Sequence, residues 1–271
     1  MIFIKNFILL SLIKVNYFLK HLNYFTGDRI RTKKLENEIL SKLKISGYYV
    51  INDFINKKEC EKIKKKINLF IKKYPEKLFT SKRNDDQRIH GAEYIDRKLI
   101  KKYHNSSYIK KIGSIYSFAA LKNLMTMANK TSFLKNNLGS GGGWHRDSVC
   151  KQYKSILYLV DVNRLNGPFQ LIKNSQKFGQ IYKDTQKMKI DVRTSRFKNK
   201  QIKPIKRDRT VTIEGKAGTL IIVDTSLIHR GSPLKSGKRY ALTNYYYPKK
   251  IIKNYLDHFK PKLTANDKIR L

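Results

Sequence analysis

The sequence predicts a mainly β protein of the sandwich or double-sheet jelly-roll class, with helices flanking the sheets. Five short β-prone runs fill the second half of the chain, and turn residues such as Asn166, Gly167 and Pro168 separate them. Two predicted helices precede these runs, and the second of them has apolar residues at helical spacing. The 271 residues, 40% of them hydrophobic, are enough to bury one sizeable core, so we expect a single main domain with terminal extensions.

The first half of the chain carries the predicted helices. A short helix is expected over residues 34–44, a strand over 47–54, and a helix over 57–73, where apolar residues recur at helical spacing between lysines. Residues 79–102 are polar and weakly periodic, so loops and short turns are expected there. Residues 112–127 are apolar enough to form either a helix or a buried strand.

The second half of the chain carries most of the predicted strands. They cover residues 155–162, 167–172, 210–213, 218–224 and 239–247. Residues 177–209 interrupt them and are rich in lysine, arginine and glutamine, with few large apolar side chains. This composition predicts a mobile insertion or a lid over one mouth of the barrel.

Terminal extensions flank the predicted domain, which we place at residues 34–250. Residues 1–33 form an apolar and basic extension, and residues 251–271 form a basic tail. The longest uncharged run within residues 1–25 is far short of the roughly 20 apolar residues that a membrane span requires, and no small-residue cleavage site follows it. Two interpretations stay open for this segment: a helix packed on the domain, or a helix resting on an anionic membrane surface.

The two cysteines, Cys60 and Cys150, do not have the spacing of a disulfide framework or of a thiolate zinc site. Isolated reduced thiols are typical of intracellular proteins. We therefore expect a cytoplasmic protein, with peripheral attachment to an anionic membrane through residues 1–25 as the open alternative.

The chain has a formal net charge of +39, from 59 Lys and Arg against 20 Asp and Glu. Such an excess attracts anions, including nucleic acid, anionic lipid headgroups and anionic small molecules. Because the lysines are spread over the whole sequence, most are expected to be solvated surface residues. A non-catalytic basic jelly-roll protein that binds nucleic acid or anionic surfaces is the alternative function, and nucleic acid is not the expected partner.

A candidate metal site follows the glycine-rich run at residues 139–143. His145 and Asp147 are two residues apart, so both side chains project to the same side of an extended strand. His229 ends a later apolar run and offers a third ligand. Two imidazoles and one carboxylate on one side of a metal form the facial triad that suits non-haem Fe(II), and this triad leaves neighbouring positions open for a 2-oxo acid and O2.

A dicarboxylic 2-oxo acid also needs a cation for its second carboxylate. Arginine is suited to this role because its planar fork pairs bidentately with a carboxylate and stays charged. Arg239 opens the strand that follows His229. We expect these two residues to lie on adjacent strands joined by a short connection, with both side chains in one cavity.

Residues 144–248 resemble the phytanoyl-CoA dioxygenase-like family. WHRDS resembles the family's WHQD signature, NGPFQLIKNSQK resembles its NGxLxxxPGSHK stretch, and residues 218–248 resemble its closing strands with a distal histidine and arginine. Residues 47–67 are similar to the opening strand and helix of the family. The chain departs from the pattern at Arg146, where glutamine is usual, and at Gly231, where serine is common.

The resemblance implies a cupin-like double-stranded β-helix and a dioxygenase that uses Fe(II), 2-oxoglutarate and O2. Position by position, His145, Asp147 and His229 match the metal ligands. Arg239 matches the 2-oxoglutarate anchor, and Lys135 matches a lysine often found near the co-substrate.

The reaction that the resemblance implies is hydroxylation of a small organic substrate, with release of succinate and CO2. The positive charge and the apolar N-terminal segment favour a substrate that is anionic or linked to a lipid or glycan. Retention of Asp147 favours hydroxylation over halogenation, because related halogenases replace this carboxylate.

Overall fold

The computed structural model describes residues 2–22 and 32–249, which form seven α-helices and ten β-strands. The helices are α1 (Ile2–Leu22), α2 (Lys34–Ser46), α3 (Lys57–Lys73), α4 (Leu99–His104), α5 (Ser107–Ser117), α6 (Phe178–Met188) and α7 (Asn199–Lys206). The strands are β1 (Tyr48–Ile51), β2 (Phe79–Thr80), β3 (Asp86–His90), β4 (Leu121–Ser132), β5 (Tyr153–Tyr158), β6 (Phe169–Ile172), β7 (Thr210–Ile213), β8 (Leu220–Asp224), β9 (His229–Gly231) and β10 (Lys238–Pro248). The basic tail expected at residues 251–271 lies outside the described residues.

Most elements form where the sequence predicts them. α3 has the predicted bounds because Asn56 caps it: the Asn56 side chain accepts the backbone N–H of Glu59 (2.9 Å), and the Glu59 carboxylate accepts the N–H of Asn56 (3.3 Å). β7 also has the predicted bounds, and α2, β1, β5, β6, β8 and β10 overlap theirs.

One stretch differs from the prediction, and another contains both of the predicted alternatives. Residues 79–102, expected to be loops, contain β2, β3 and the beginning of α4. β3 escapes recognition by hydrophobic periodicity because its Arg88 faces a polar cavity rather than an apolar core. Residues 112–127 contain both predicted alternatives, since Phe118 adopts a left-handed conformation (φ 52°) that ends α5 before β4 begins.

Two antiparallel sheets pack against each other. The larger sheet has the strand order β1-β8-β5-β10-β4-β3-β2, and the smaller has the order β7-β6-β9. One apolar cluster takes side chains from both sheets, among them Tyr158, Ile221 and Val223 from the larger and Phe169 and Leu171 from the smaller. This arrangement confirms the predicted mainly β jelly-roll class.

The opposite face of the larger sheet is covered by α2, α3 and α5. Leu220 and Ile222 of β8 pack with these helices, whereas Ile221 and Val223 point toward the smaller sheet. β8 is therefore apolar at both alternating sets of positions, because both of its faces are buried.

β10 shows the same alternation with a different result. Its side chains that pack with the helices are Tyr240, Leu242 and Tyr246. Its side chains that line a cavity between the sheets are Arg239, Ala241, Thr243 and Tyr245. The neighbouring β5 contributes Lys154, Ile156 and Tyr158 to the same cavity.

Residues 177–209 are folded into α6, α7 and their connections, which corrects the expectation of an insertion poor in large apolar residues. Their buried apolar side chains pack against Trp144, Ile172 and Ile228 of the main domain. These side chains are Met188, Ile190, Phe197, Ile202 and Ile205. The segment does border the cavity, since Arg196 is one of its lining residues.

α1 packs against α6 and the segment that follows it. Leu10 is fully buried with Ile181 and Val192. The contact agrees with the packed-helix interpretation of the N-terminal segment. Among the described residues, no helix combines the length and hydropathy that crossing a membrane requires.

Candidate active site

The chain after the glycine loop pairs with the chain around His229. The backbone N–H of His145 donates to the carbonyl of His229 (2.9 Å), and the N–H of His229 donates to the carbonyl of His145 (2.8 Å). The N–H of Asp147 donates to the carbonyl of Thr225 (3.1 Å). The pairing keeps this chain extended, so that His145 and Asp147 project to one side.

Gly141 brings the loop close to the first imidazole. Its φ of +88° lies in the left-handed region that favours glycine, and a Cβ at this position would lie 2.5 Å from Cε1 of His145. The loop therefore packs on the imidazole more closely than any residue with a side chain would allow.

The two imidazoles are held in the tautomer that suits metal binding. Nδ1 of His145 lies 2.9 Å from the carbonyl oxygen of Gly143, and Nδ1 of His229 lies 2.9 Å from that of Leu227. A carbonyl oxygen can only accept, so each Nδ1 carries the proton and each neutral ring presents the Nε2 lone pair to the cavity.

Asp147 completes the cluster. Its Oδ1 lies 3.9 Å from Nε2 of His145, and its Oδ2 lies 4.0 Å from Nε2 of His229. One ligand atom from each of the three residues lies within 4.8 Å of the other two. Nζ of Lys154 donates to Oδ2 (2.7 Å) and lies 4.0 Å from the centroid of the Tyr245 ring, so a cation fixes the orientation of the carboxylate.

Burial and neighbouring charges set the protonation of the cluster. Burial, reinforced by the nearby His229, lowers the pKa of His145 to about 3, and burial also lowers the pKa of His229. Burial alone would raise the pKa of Asp147, but Lys154 and the two imidazoles outweigh it and hold that pKa below its usual range. At neutral pH the cluster therefore offers two neutral imidazoles and one carboxylate, the forms in which these groups bind metal.

Arg239 is buried in the same cavity, with 5% of its surface exposed. Its Nη1 donates to the carbonyl of Gly167 and its Nη2 donates to Oδ1 of Asn129 (3.4 Å). Within the described residues Nε has no hydrogen-bond partner, and no carboxylate is paired with the guanidinium. Because a buried cation without a counter-charge is costly, this arrangement fits a site that receives a carboxylate ligand.

Gly231 leaves room for that guanidinium. A Cβ at this position would lie 2.9 Å from Nη1 of Arg239 and equally close to Cβ of Ser140. The departure from serine, noted in the sequence, is thus explained by the close approach of β9 to Arg239.

The cavity has a volume of about 190 Å³ and is strongly basic. Apart from the imidazoles, its charged lining residues are four cations and a single carboxylate: Arg88, Lys154, Arg196, Arg239 and Asp147. Arg88 is held in place by Asp86, whose Oδ2 accepts hydrogen bonds from Nε (3.1 Å) and Nη2 (2.5 Å). A cavity with this charge balance attracts anions such as a dicarboxylate.

The structure brings four of the five predicted site residues to this cavity and leaves the fifth outside it. We expected His229 and Arg239 on adjacent strands, and this was wrong. β9 belongs to the smaller sheet and β10 to the larger. Their side chains meet in one cavity because the two sheets face each other. Lys135 is exposed, does not line the cavity, and contributes its backbone carbonyl to a hydrogen bond from Arg83.

Three charged cavity residues escaped the sequence prediction. Lys154 lies one residue before the predicted start of its strand, and alternation extended backward from Ile156 would have found it. Arg88 lies in a stretch expected to be loops. Arg196 belongs to the 177–209 segment, whose backbone pairs with the metal-ligand segment through a bridge between Arg196 and His145.

Arg146, which stands where glutamine is usual in the family, does not line the cavity. It is buried on the opposite side of the chain, where its Nη2 donates to the carbonyl of Ser175 (2.8 Å). Trp144 is buried in the apolar cluster of the 177–209 segment, and the guanidinium of Arg230 lies 4.4 Å from its ring centroid.

The phytanoyl-CoA dioxygenase (PhyH) family matches this chain over residues 44–241. No curated protein sequence matches it. Similar solved structures include the epimerase SnoN from nogalamycin biosynthesis, described as non-heme and alpha ketoglutarate dependent, with 10% identity over 79% of this chain and 83% of that chain and a TM-score of 0.57.

Two further similar structures have the same fold. HygX from Streptomyces hygroscopicus, with nickel and 2-oxoglutarate bound, is 14% identical over 81% of this chain and 88% of that chain, with a TM-score of 0.55. EctD from S. alaskensis is 15% identical over 77% of this chain and 75% of that chain, with a TM-score of 0.58. At these identities the likeness shows the fold alone, and it confirms the cupin-like double-stranded β-helix.

Proposed function

The chain belongs to the phytanoyl-CoA dioxygenase family of Fe(II)- and 2-oxoglutarate-dependent oxygenases, and from that premise we propose that it hydroxylates a small organic substrate, releasing succinate and CO2. Its cofactors are Fe(II) and 2-oxoglutarate, and O2 is the oxidant. Together the metal and the 2-oxo acid activate O2 for attack on a substrate C–H bond, while the protein positions and shields the reacting groups.

One observation carries the proposal: a metal-binding triad and an uncompensated buried arginine line one cavity. We assign the metal to His145, Asp147 and His229, whose ligand atoms already lie within 4.8 Å of one another. We assign the distal carboxylate of 2-oxoglutarate to Arg239, whose Nε has no partner among the described residues. The metal would meet two neutral imidazoles and a carboxylate, and 2-oxoglutarate would meet a buried guanidinium. The charge and protonation of these groups are thus set before either ligand binds.

Lys154 is assigned a positioning role. Its ammonium binds Oδ2 of Asp147 and is itself fixed against the Tyr245 ring. This contact leaves Oδ1 as the carboxylate oxygen without a cation. A carboxylate whose second oxygen is held by an ammonium group keeps its orientation even when no metal is bound.

We propose that the substrate carries negative charge. The 2-oxoglutarate dianion would be matched by the metal and Arg239, Lys154 is paired with Asp147, and Arg88 is paired with Asp86. Arg196 is the remaining cation of the lining, and its guanidinium donates to a neutral group, the carbonyl of Gly141 (2.7 Å). An anionic group on the substrate, including one on a lipid or glycan, would complement it.

The test begins without a substrate. Calorimetry should detect binding of Ni(II) as a redox-inert probe and of 2-oxoglutarate to the metal-loaded protein, and the Fe(II) protein should slowly form succinate from 2-oxoglutarate in air. His229→Ala should abolish both metal binding and succinate formation. Lys135→Ala is the matched control and should retain them, because Lys135 lies outside the cavity. Binding of neither metal nor 2-oxoglutarate would refute the assignment.

The second test separates hydroxylation from other outcomes of the same oxidant. SnoN is described as an epimerase, and SnoK, another similar structure from nogalamycin biosynthesis, is described as a carbocyclase, so succinate formation alone does not identify the reaction. A metabolite extract incubated with the enzyme and labelled O2 should yield a product that gains one labelled oxygen atom. A product that loses two hydrogens, or keeps its mass, would exclude hydroxylation while leaving the oxygenase assignment intact.

The alternative is a non-catalytic basic protein that binds nucleic acid. Binding to DNA or RNA that falls steeply with salt, together with the absence of 2-oxoglutarate turnover, would support it.

A further inference from the structure

α1 exposes a continuous apolar face to solvent. The residues on this face are between 52% and 69% exposed and recur every three or four positions: Ile4, Ile8, Leu12, Val15, Phe18 and Leu19. Residues at this spacing lie on one side of a helix. Single exposed apolar side chains are ordinary, but a contiguous set of six large ones marks an interaction surface.

The opposite side of α1 is fixed to the domain. Nδ2 of Asn6 donates to the carbonyl of Ile190 (2.8 Å), and its Oδ1 accepts the N–H of Val192 (3.1 Å). Leu10 is fully buried one turn later, and the hydroxyl of Tyr17 donates to the carbonyl of Lys151 (3.3 Å). Because these contacts set the rotation of the helix, its apolar face cannot turn inward without breaking them.

Lys5 and Lys14 leave the apolar face of α1 uninterrupted. Lys14 lies toward the domain, where burial lowers its pKa. Lys5 is exposed at the flank of the face, and the first turn contains no acidic residue. One face of the helix is therefore docked on the domain, and the other is apolar, with Lys5 at its flank.

We propose that α1 is an interfacial helix that lays this apolar face into the headgroup–acyl boundary of an anionic lipid bilayer. The helix is not apolar enough to cross a membrane, and an amphipathic helix that lies in the interface plane does not need to be. The net charge of +39 complements an anionic surface. A second copy of the chain would instead bring two such charges together, which opposes self-association through this face.

α1 would lie between the bilayer and segments that lead to the cavity. α1 contacts residues Ile190 and Val192, a few positions before the cavity residue Arg196, and it contacts Lys151, a few positions after the metal-ligand candidate Asp147. A failure of membrane docking would leave the oxygenase assignment intact, because the docking surface uses no residue of the cavity.

The experiment measures partition of the full-length protein to vesicles, without metal or 2-oxoglutarate. The wild type should co-sediment with vesicles that contain phosphatidylserine, and less with vesicles of phosphatidylcholine alone. Ile8→Asp combined with Leu12→Asp should lower the partition constant by about 100-fold or more, because two half-exposed aliphatic side chains lose their burial in lipid. Leu69→Asp combined with Leu165→Asp makes the same change at similarly exposed positions (55% and 51%) outside α1 and should leave partition within about twofold of the wild type.

The outcomes separate the possible occupants. Thermal unfolding of both double variants should match that of the wild type, since neither pair is buried, and this control excludes misfolding as the cause. Equal partition of the α1 variant and the wild type would overturn the proposal, because binding would then be electrostatic only. A wild-type dimer that the α1 variant dissociates, with no vesicle binding, would overturn it in favour of self-association.

Discussion

Replacement of Arg239 by alanine should separate co-substrate binding from metal binding. The guanidinium is buried, its Nε lacks a partner among the described residues, and its other contacts are with the neutral groups of Gly167 and Asn129. A dicarboxylate that binds here would gain two charge-assisted hydrogen bonds to a guanidinium that is itself buried. The ligand-free protein makes no comparable interaction with this side chain.

The magnitude follows from that difference. Two hydrogen bonds to charged groups, lost from a buried site, cost about 4 kcal/mol, which corresponds to about a 1,000-fold rise in the dissociation constant of 2-oxoglutarate. The free energy of unfolding of the ligand-free variant should fall much less, because the alanine removes a buried cation that has no counter-charge there. Metal affinity should stay within about threefold, since Arg239 does not contact the triad.

The assay is calorimetric titration of the Ni(II)-loaded protein with 2-oxoglutarate, accompanied by thermal unfolding with and without the ligand. At a concentration 100 times its dissociation constant, 2-oxoglutarate should stabilise the wild type by about 2.7 kcal/mol and should stabilise Arg239→Ala negligibly. Arg239→Lys should give an intermediate affinity, because lysine keeps the charge and loses the planar fork. The exposed Arg164→Ala is the control and should behave as the wild type.

The reasoning fails if the variant loses metal and 2-oxoglutarate affinity in equal proportion, because Arg239 would then support the cavity as a whole. It also fails if 2-oxoglutarate binds unchanged, which would assign the distal carboxylate to another cation such as Arg88.

Gly141→Ala should weaken Ni(II) binding at least about tenfold by displacing His145, and unchanged affinity by calorimetry would show that the loop does not constrain the imidazole. Burial raises the pKa of Glu93 to about 7, so its contribution to stability is full below its ordinary pKa of 4.5 and is lost as the pH rises through 7. Glu93→Gln should flatten the decline in the free energy of unfolding over this window, and urea titrations that give parallel pH profiles for both proteins would contradict it. Arg209→Met leaves the fully buried Asp184 carboxylate without its bidentate partner and should lower the free energy of unfolding by about 3 kcal/mol; a loss under about 1 kcal/mol in urea would refute that role.

The sequence was sufficient to predict those parts of the site and fold that depend on short-range residue spacing. His145 and Asp147 are two residues apart in an extended segment, and α3 is defined by its own apolar spacing and by the Asn56 cap. Such signals lie within a few residues of one another, so they can be interpreted before the fold is known.

The cations that line the rest of the cavity depend on distant pairing. Arg88 reaches the cavity because β3 pairs with β4, with Arg88 opposite Asn129, and Lys154 meets Tyr245 because β5 pairs with β10 in that register. Arg196 is placed by a segment whose apolar residues are scattered among lysines and only converge when α6 and α7 pack. No local pattern in the sequence records these registers.

Side chains alternate between the two faces of β10 and of β5, so the positions available for redesign are every second residue of each strand. In β10 the odd-numbered residues from Arg239 to Tyr245 face the cavity, and in β5 the even-numbered residues from Lys154 to Tyr158 do so. The intervening residues, including Leu242 and Leu157, bind the helical layer. A library restricted to Ala241, Thr243 and Ile156 would therefore vary the shape of the pocket while leaving the contacts of both strands with the helical layer untouched. The side chains that shape the pocket can therefore change along one face of these two strands while the residues on the opposite face stay the same.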